Sequence, residues 1–249
     1  MPEAKPTLVF VHGAQSSGAT WLPVIKYLEP LLPEFQLRAL DLPGHGSNTE
    51  PLIGSIEALA DWLNEWSKHH SSTPLHLAGH SMGSLVVLEL ASRWPGRFAS
   101  VSLLGTASPM GVNDALLTLS RDNPTQAIDL VAKYSFAPAN AQRLDPDAPP
   151  CTLIESSLRA MHEQSLDCIA NDLAACNSYL GGDAAAEKLD CPVLILCGAL
   201  DKMTSPKSAA ALASRMTNAQ VRNIDGVGHA MMAEAPEHVA SSLADFLRD

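Results

Sequence analysis

The chain has 249 residues, 46% of them apolar and 17% charged, with a formal net charge of -11 at neutral pH. That length supports a core large enough to fold without disulfide or metal staples. Charge this negative repels phosphate backbones and anionic bilayers, which argues against nucleic acid and membrane surfaces as partners and favours a neutral, apolar small molecule.

No apolar run approaches the roughly 20 residues that span a bilayer, so a soluble protein is expected. The five cysteines, Cys151, Cys168, Cys176, Cys191 and Cys197, are odd in number and hold no Cys-x-x-Cys pair, which reads as reduced thiols. The opening Met-Pro-Glu-Ala-Lys-Pro lacks the basic start, apolar stretch and small-residue cleavage site of a leader, and this implies a cytoplasmic location. No feature of the sequence specifies an oligomeric state.

In chain order, Thr7 to Val11 reads as a strand, Ser17 to Leu32 as a helix and Phe35 to Leu40 as a strand. In Ser55 to His69 the apolar positions Ile56, Leu59, Ala60, Leu63 and Trp66 recur at spacings of three and four, the buried stripe of a helix. The strand Leu75 to Ala78, the helix Met82 to Trp94 and the strand Val101 to Leu104 follow. After Pro109 the alternation breaks into helical stretches at Asp114 to Ser120, Thr125 to Lys133, Leu153 to Gln164 and Leu166 to Tyr179, divided by the Pro-rich Asp145 to Pro150. Val193 to Cys197 and Gln220 to Ile224 restore the strands, with helices at Pro206 to Met216 and Pro236 to Leu247.

Near-continuous apolar runs suit parallel strands covered on both faces, and alternation with helices means an α/β sheet. The expected fold is a six-stranded, mostly parallel sheet in a core of residues 1–108 and 188–249. Residues 109–187 are expected to form a helical cap insertion over the strands' C-terminal edge, where open α/β sheets bind ligands.

Gly79-His80-Ser81-Met82-Gly83 joins a strand to a helix. A serine on such a sharp turn is forced into strained dihedrals, and glycines two before and two after relieve the crowding of strand against helix. Alone, the pattern arises by chance roughly one time in ten at this length. Four more segments accompany it: Val11-His12-Gly13-Ala14, Asp41 to Gly46 (Asp-Leu-Pro-Gly-His-Gly), Leu196 to Asp201 (Leu-Cys-Gly-Ala-Leu-Asp) and Gly226 to His229 (Gly-Val-Gly-His). Together they resemble the α/β-hydrolase superfamily over nearly all the chain except the insertion.

The resemblance implies the α/β-hydrolase fold, with Ser81 as nucleophile, His229 as general base and Asp201 as the acid that orients it, in that family's chain order. A serine hydroxyl is a weak nucleophile near neutrality, so an imidazole must take its proton and a carboxylate must fix that imidazole's tautomer. It also implies an oxyanion hole from the backbone N–H groups of Met82 and Ala14, with Gln15 as the weaker alternative to Ala14. Relatives with aspartate at the elbow cleave carbon–halogen bonds or epoxides, and Ser81 argues against both.

The leading expectation is hydrolysis of a small or medium apolar carboxylic ester through an acyl-enzyme, without a cofactor, since no cluster of metal ligands stands out. One alternative is carbon–carbon bond hydrolysis or a lyase step on a keto acid, whose carboxylate Arg121, Arg143 or Arg159 could bind. Another is a triad-retaining ligand receptor. His80, Met203, Met231 and Met232 are expected at the substrate pocket, and Leu116, Leu119, Phe136, Met161 and Leu173 are expected to roof it. His12 and His45 read as braces for their loops, Asp41 as the tie of its own loop, and Asp225 as a turn residue and rival to Asp201. All triad and oxyanion groups fall outside Gly111 to Ala186, so replacing that segment by a short linker is expected to leave Ser81 reactive.

Overall fold

The computed structural model describes residues 5–70 and 75–248, the His70 side chain excepted. Met1 to Ala4, part of the opening segment read as lacking leader features, lie outside them. Strand β1 (Thr7–Val11) leads through a 3-10 turn (Gly18–Trp21) into α1 (Leu22–Leu28) and β2 (Gln36–Leu40). The helix expected to Leu32 stops earlier because Pro30 has no N–H to continue the ladder. Then come α2 (Ile56–His70), β3 (Leu75–His80), α3 (Met82–Arg93) and β4 (Phe98–Leu104).

Six helices fill the interval before the next strand: α4 (Asp114–Asp122), α5 (Pro124–Ser135), α6 (Pro138–Ala141), α7 (Leu153–His162), α8 (Leu166–Ser178) and α9 (Gly182–Ala186). The chain closes with β5 (Val193–Gly198), α10 (Pro206–Ala213), β6 (Ala219–Ile224), α11 (Met231–Glu234) and α12 (Pro236–Arg248). Among the described residues no helix is long and apolar enough to cross a membrane.

The six strands form one sheet in the order β2-β1-β3-β4-β5-β6, and every neighbouring pair is parallel. Side chains alternate between its faces, as period two requires. Val9 and Val11 of β1, with Val193 and Ile195 of β5, join α2, α3, α9 and α10 in one core. Leu8, Phe10, Leu194 and Leu196 face the other way, into a core with Trp21, α1 and α12. The edge strands are wetter than continuous apolar runs suggest: β2 is half-buried and Val221 of β6 is 42% exposed. Helices α4, α5, α7 and α8 gather a smaller core of their own around Ile128 and Ile169.

Because β1 sends its chain one way to β2 and the chain then returns past β1 to β3, the carboxyl ends of β1 and β3 border the crevice at which such sheets take ligands. The chain turns out of β3 at that point. A Cβ on Gly79 would lie 2.2 Å from the Gly83 carbonyl oxygen, and one on Gly83 would lie 2.4 Å from the Val11 oxygen. Both obstacles are backbone and cannot swing away. Gly79→Ala and Gly83→Ala are therefore expected to cost about 3 kcal/mol or more each, whereas Gly111→Ala, with nothing near its Cβ, stays within about 0.5 kcal/mol. Calorimetric melts check the ranking, and equal melting temperatures for all three would refute it.

Candidate active site

Ser81 lies between β3 and α3 with φ +52° and ψ -120°, a backbone region that a serine occupies only when its surroundings impose it. Its N–H donates to the Leu104 carbonyl at 2.9 Å, continuing the β3–β4 ladder by one rung, while the Ser84 N–H donates to the Ser81 carbonyl at 2.8 Å. The Met82 N–H is the first of α3 and has no acceptor within the helix, so it is free to bind a group in front of Ser81. Gly13 closes the other side: a Cβ there would lie 3.1 Å from Ser81 Cβ. That approach puts Ala14 on the wall of the cavity into which Ser81 opens. The Gln15 N–H is taken by Asp172 Oδ2 at 2.9 Å, which removes Gln15 as a donor to that cavity.

Asp201 stands three residues past β5 and His229 five past β6, and Gly198 and Gly228 let the two loops touch, since a Cβ on Gly198 would lie 2.1 Å from the Gly228 oxygen. His229 Nδ1–H donates to Asp201 Oδ2 at 2.7 Å, and both side chains are buried. Asp201 Oδ1 accepts the Met203 and Thr204 N–H groups at 2.8 and 2.9 Å, and Oδ2 also accepts the Thr204 hydroxyl at 2.8 Å. Burial works to raise the Asp201 carboxyl, but the facing His229 and the hydrogen bonds from His229 and Thr204 outweigh it and hold it below the usual carboxylate range. The ionised Asp201 fixes the proton on Nδ1, leaving Nε2 able to accept one. Asp225, the rival acid, is exposed in a turn.

His80 lines the cavity, and its Nε2–H donates to the His229 carbonyl at 2.9 Å, with the two rings 4.7 Å apart. Burial and the neighbouring His229 push it down to about 3, so it stays neutral. His12 is also neutral: Nε2 accepts the Leu42 N–H at 3.1 Å, Nδ1 donates to the Gly13 oxygen at 2.8 Å, and burial with His45 lowers it to about 4. Asp41 ties its loop through the N–H groups of Gly18 and Ser47 at 2.8 and 2.9 Å.

The cavity measures about 420 Å³ and reaches from Ser81 and His229 into the helical insertion. Leu116, Met161 and Leu173 line it, whereas Leu119 packs within the insertion's own core and Phe136 with Ala141 and Leu153. Met203 lies at its mouth, 38% exposed. Met231 does not reach it: the first turn of α11 points Met231 into the core beneath the sheet and Met232 to the cavity. Arg121, Arg143 and Arg159 are all exposed and outside the lining; the only lysine or arginine in the lining is Lys202.

The sequence profile of the alpha/beta hydrolase family matches residues 8–241. The chain belongs to that family. Among curated proteins it is 24% identical over 270 residues to the monoacylglycerol lipase ABHD6 of Mus musculus, covering 99% of this chain and 76% of that one. It is 29% identical over 264 residues to the pimeloyl-[acyl-carrier protein] methyl ester esterase of Neisseria meningitidis, covering 99% and 78%. Among solved structures, the enol-lactonase from Burkholderia xenovorans superposes with a TM-score of 0.86 at 20% identity, over 99% of this chain and 93% of that one, which shows a shared fold.

In this α/β hydrolase three supporting residues escape a sequence reading. Thr204 steadies Asp201. Glu234, buried in α11, accepts the Gly228 N–H at 3.0 Å, the Ala137 N–H at 3.1 Å and the Asn140 amide at 2.8 Å, and so pins the His229 loop to the insertion; burial raises its carboxyl against those bonds. The third is Asp172 of α8, paired with His45 at 2.9 Å, both almost fully buried. His45 donates from both nitrogens, to Asp172 and to the Pro43 oxygen at 3.0 Å. Burial alone would lower it, yet the Asp172 bond raises it from 6.5 to about 10. A raised folded-state value stabilises fully below pH 6.5 and is lost as pH climbs toward 10. The melting-temperature gap between wild type and Asp172→Asn is therefore expected to shrink as pH is raised from 6.5 to 10, and a gap constant over that window would mean that His45 is neutral.

Proposed function

We propose that the protein is a serine hydrolase that cleaves small or medium apolar carboxylic esters, with Ser81 as nucleophile, His229 as base and Asp201 as its orienting acid. The observation that carries this reading is one arrangement: a strained serine at a helix N-terminus opening into a largely apolar cavity, beside a buried imidazole whose Nδ1 is held 2.7 Å from a carboxylate. Ser81 Oγ attacks the ester carbonyl carbon while its proton passes to His229 Nε2. The charge that collects on the carbonyl oxygen is met by the N–H groups of Met82 and Ala14, donors that need no reorganisation. The alkoxide leaves with the proton from His229, and water, deprotonated by the same nitrogen, releases the acid and restores Ser81.

The insertion, residues 109–187, acts as the cap that shapes the acyl pocket. The absence of Arg121, Arg143 and Arg159 from the lining disfavours a keto-acid substrate, and the ester-cleaving names of two curated relatives favour esters. Free thiols at all five cysteines support a cytoplasmic location.

A fluorophosphonate label is expected on Ser81 and absent from Ser81→Ala, whose turnover of p-nitrophenyl esters falls by on the order of 10³-fold or more. Asp201→Asn is expected to lose on the order of 10³–10⁴-fold through the wrong imidazole tautomer, while Asp225→Asn stays within about twofold. Label recovered on another residue, or the reverse ranking of the aspartates, would overturn the assignment.

A further inference from the structure

Gln15 is the one residue besides glycines and Ser81 with a positive φ among the described residues, at +51°, and the insertion grips it twice. Its N–H donates to Asp172 Oδ2 at 2.9 Å, and its side-chain amide donates to the Met161 and Ser165 carbonyls, at 2.9 and 3.3 Å, where α7 ends and α8 begins. The same Asp172 oxygen accepts His45 Nε2–H at 2.9 Å, and the other accepts the Asn171 amide at 3.0 Å. Asp172 is 1% exposed. A flip of the Ala14–Gln15 peptide would turn a carbonyl oxygen toward this carboxylate, setting two acceptors face to face without water between them.

We infer that Asp172 is a positioning residue: by holding the Gln15 N–H it fixes the loop whose preceding residue, Ala14, lines the cavity, so that the cap as well as the core sets the oxyanion geometry. This rests on the serine-hydrolase reading. The Gln15 N–H and the Ala14 carbonyl share one peptide plane, hinged at the Ala14 Cα to the plane that carries the Ala14 N–H, so an unheld Gln15 lets that N–H wander from the reacting oxygen, a loss felt in the transition state more than in binding. The competing role is simpler: Asp172 and His45 could only fasten the cap to the core.

Three variants separate the two roles. Asp172→Ala is expected to lower kcat for a p-nitrophenyl ester by about 10- to 100-fold with KM within about threefold. Ile169→Ala, buried one helical turn away on α8 and outside the cavity lining, loosens the cap while leaving the Asp172 carboxylate that Gln15 needs, and is expected to keep kcat within about twofold. His45→Leu/Asp172→Val replaces the buried pair by an apolar one, a change that commonly preserves stability, and is expected to melt near wild type yet keep the low kcat because Gln15 still lacks its acceptor.

A double variant that regains kcat together with its melting temperature would overturn the inference, as would equal losses in Asp172→Ala and Ile169→Ala. Should the variants lacking the carboxylate not fold, Asp172→Asn carries the test, read by amide nuclear magnetic resonance and kcat together. A displaced Gln15 amide signal with lowered kcat supports the role, and unchanged kcat with a displaced signal overturns it. Turnover that survives in Ser81→Ala would instead sink the hydrolase reading, while the Gln15 signal would still report whether Asp172 holds the loop.

Discussion

The loops at the carboxyl edge of the sheet approach one another until backbone touches backbone, and this contact governs what the site can contain. Gly79 rests on Gly83, Gly83 on the carbonyls of Val11 and His12, and Gly198 on the carbonyl of Gly228. A side chain at any of these places would push apart the elements that bring Ser81 and His229 to one cavity and Asp201 against His229. The strained dihedrals of Ser81 follow from the same crowding: the turn from β3 into α3 has no room for a relaxed path, and the bond from the Ser81 N–H to Leu104 fixes the path it takes.

Around that contact the protein spends buried carboxylates as fasteners, each meeting backbone N–H groups. Asp201 collects two amides on the β5 loop, Glu234 holds the His229 loop against residues 137–140, and Asp172 holds the Gln15 loop against α8. A buried carboxylate is costly unless such donors surround it, so each also commits its neighbours to one conformation. Two of the three join cap to core.

The sheet and its order of elements are legible because they leave local marks, apolar runs and glycines at fixed offsets, and Asp201 and His229, which the structure brings into contact, stand just past late strands. The helices α6, α9 and α11 are four or five residues long, too short for a periodic signal. Met231 and Met232 are both expected at the pocket from their proximity to His229 in sequence, but in a helix one residue turns the side chain by about 100°, so Met232 lines it and Met231 does not. Asp172 and Glu234 left no mark at all, since their partners lie 157 and 97 residues away in Gln15 and Ala137. For that reason the linker replacement of Gly111 to Ala186 looked harmless to Ser81. It would remove Asp172 together with the Ser135 carbonyl that binds the Ala230 N–H at 2.8 Å, so the core loops would lose their supports along with the roof.

The pairing of His45 with Asp172 also bears on how molecules come and go. A cap that lifted as a rigid lid would have to part His45 from Asp172 and Gln15 from its acceptors at once, and these bonds favour the closed form. The way in is then bordered by the exposed members of the cavity wall, Gly111, Asn113, Tyr134, Lys202 and Met203. A gap of fixed width admits by shape: a slender chain threads it end first, and a bulky partner can hand over only the arm it is able to extend.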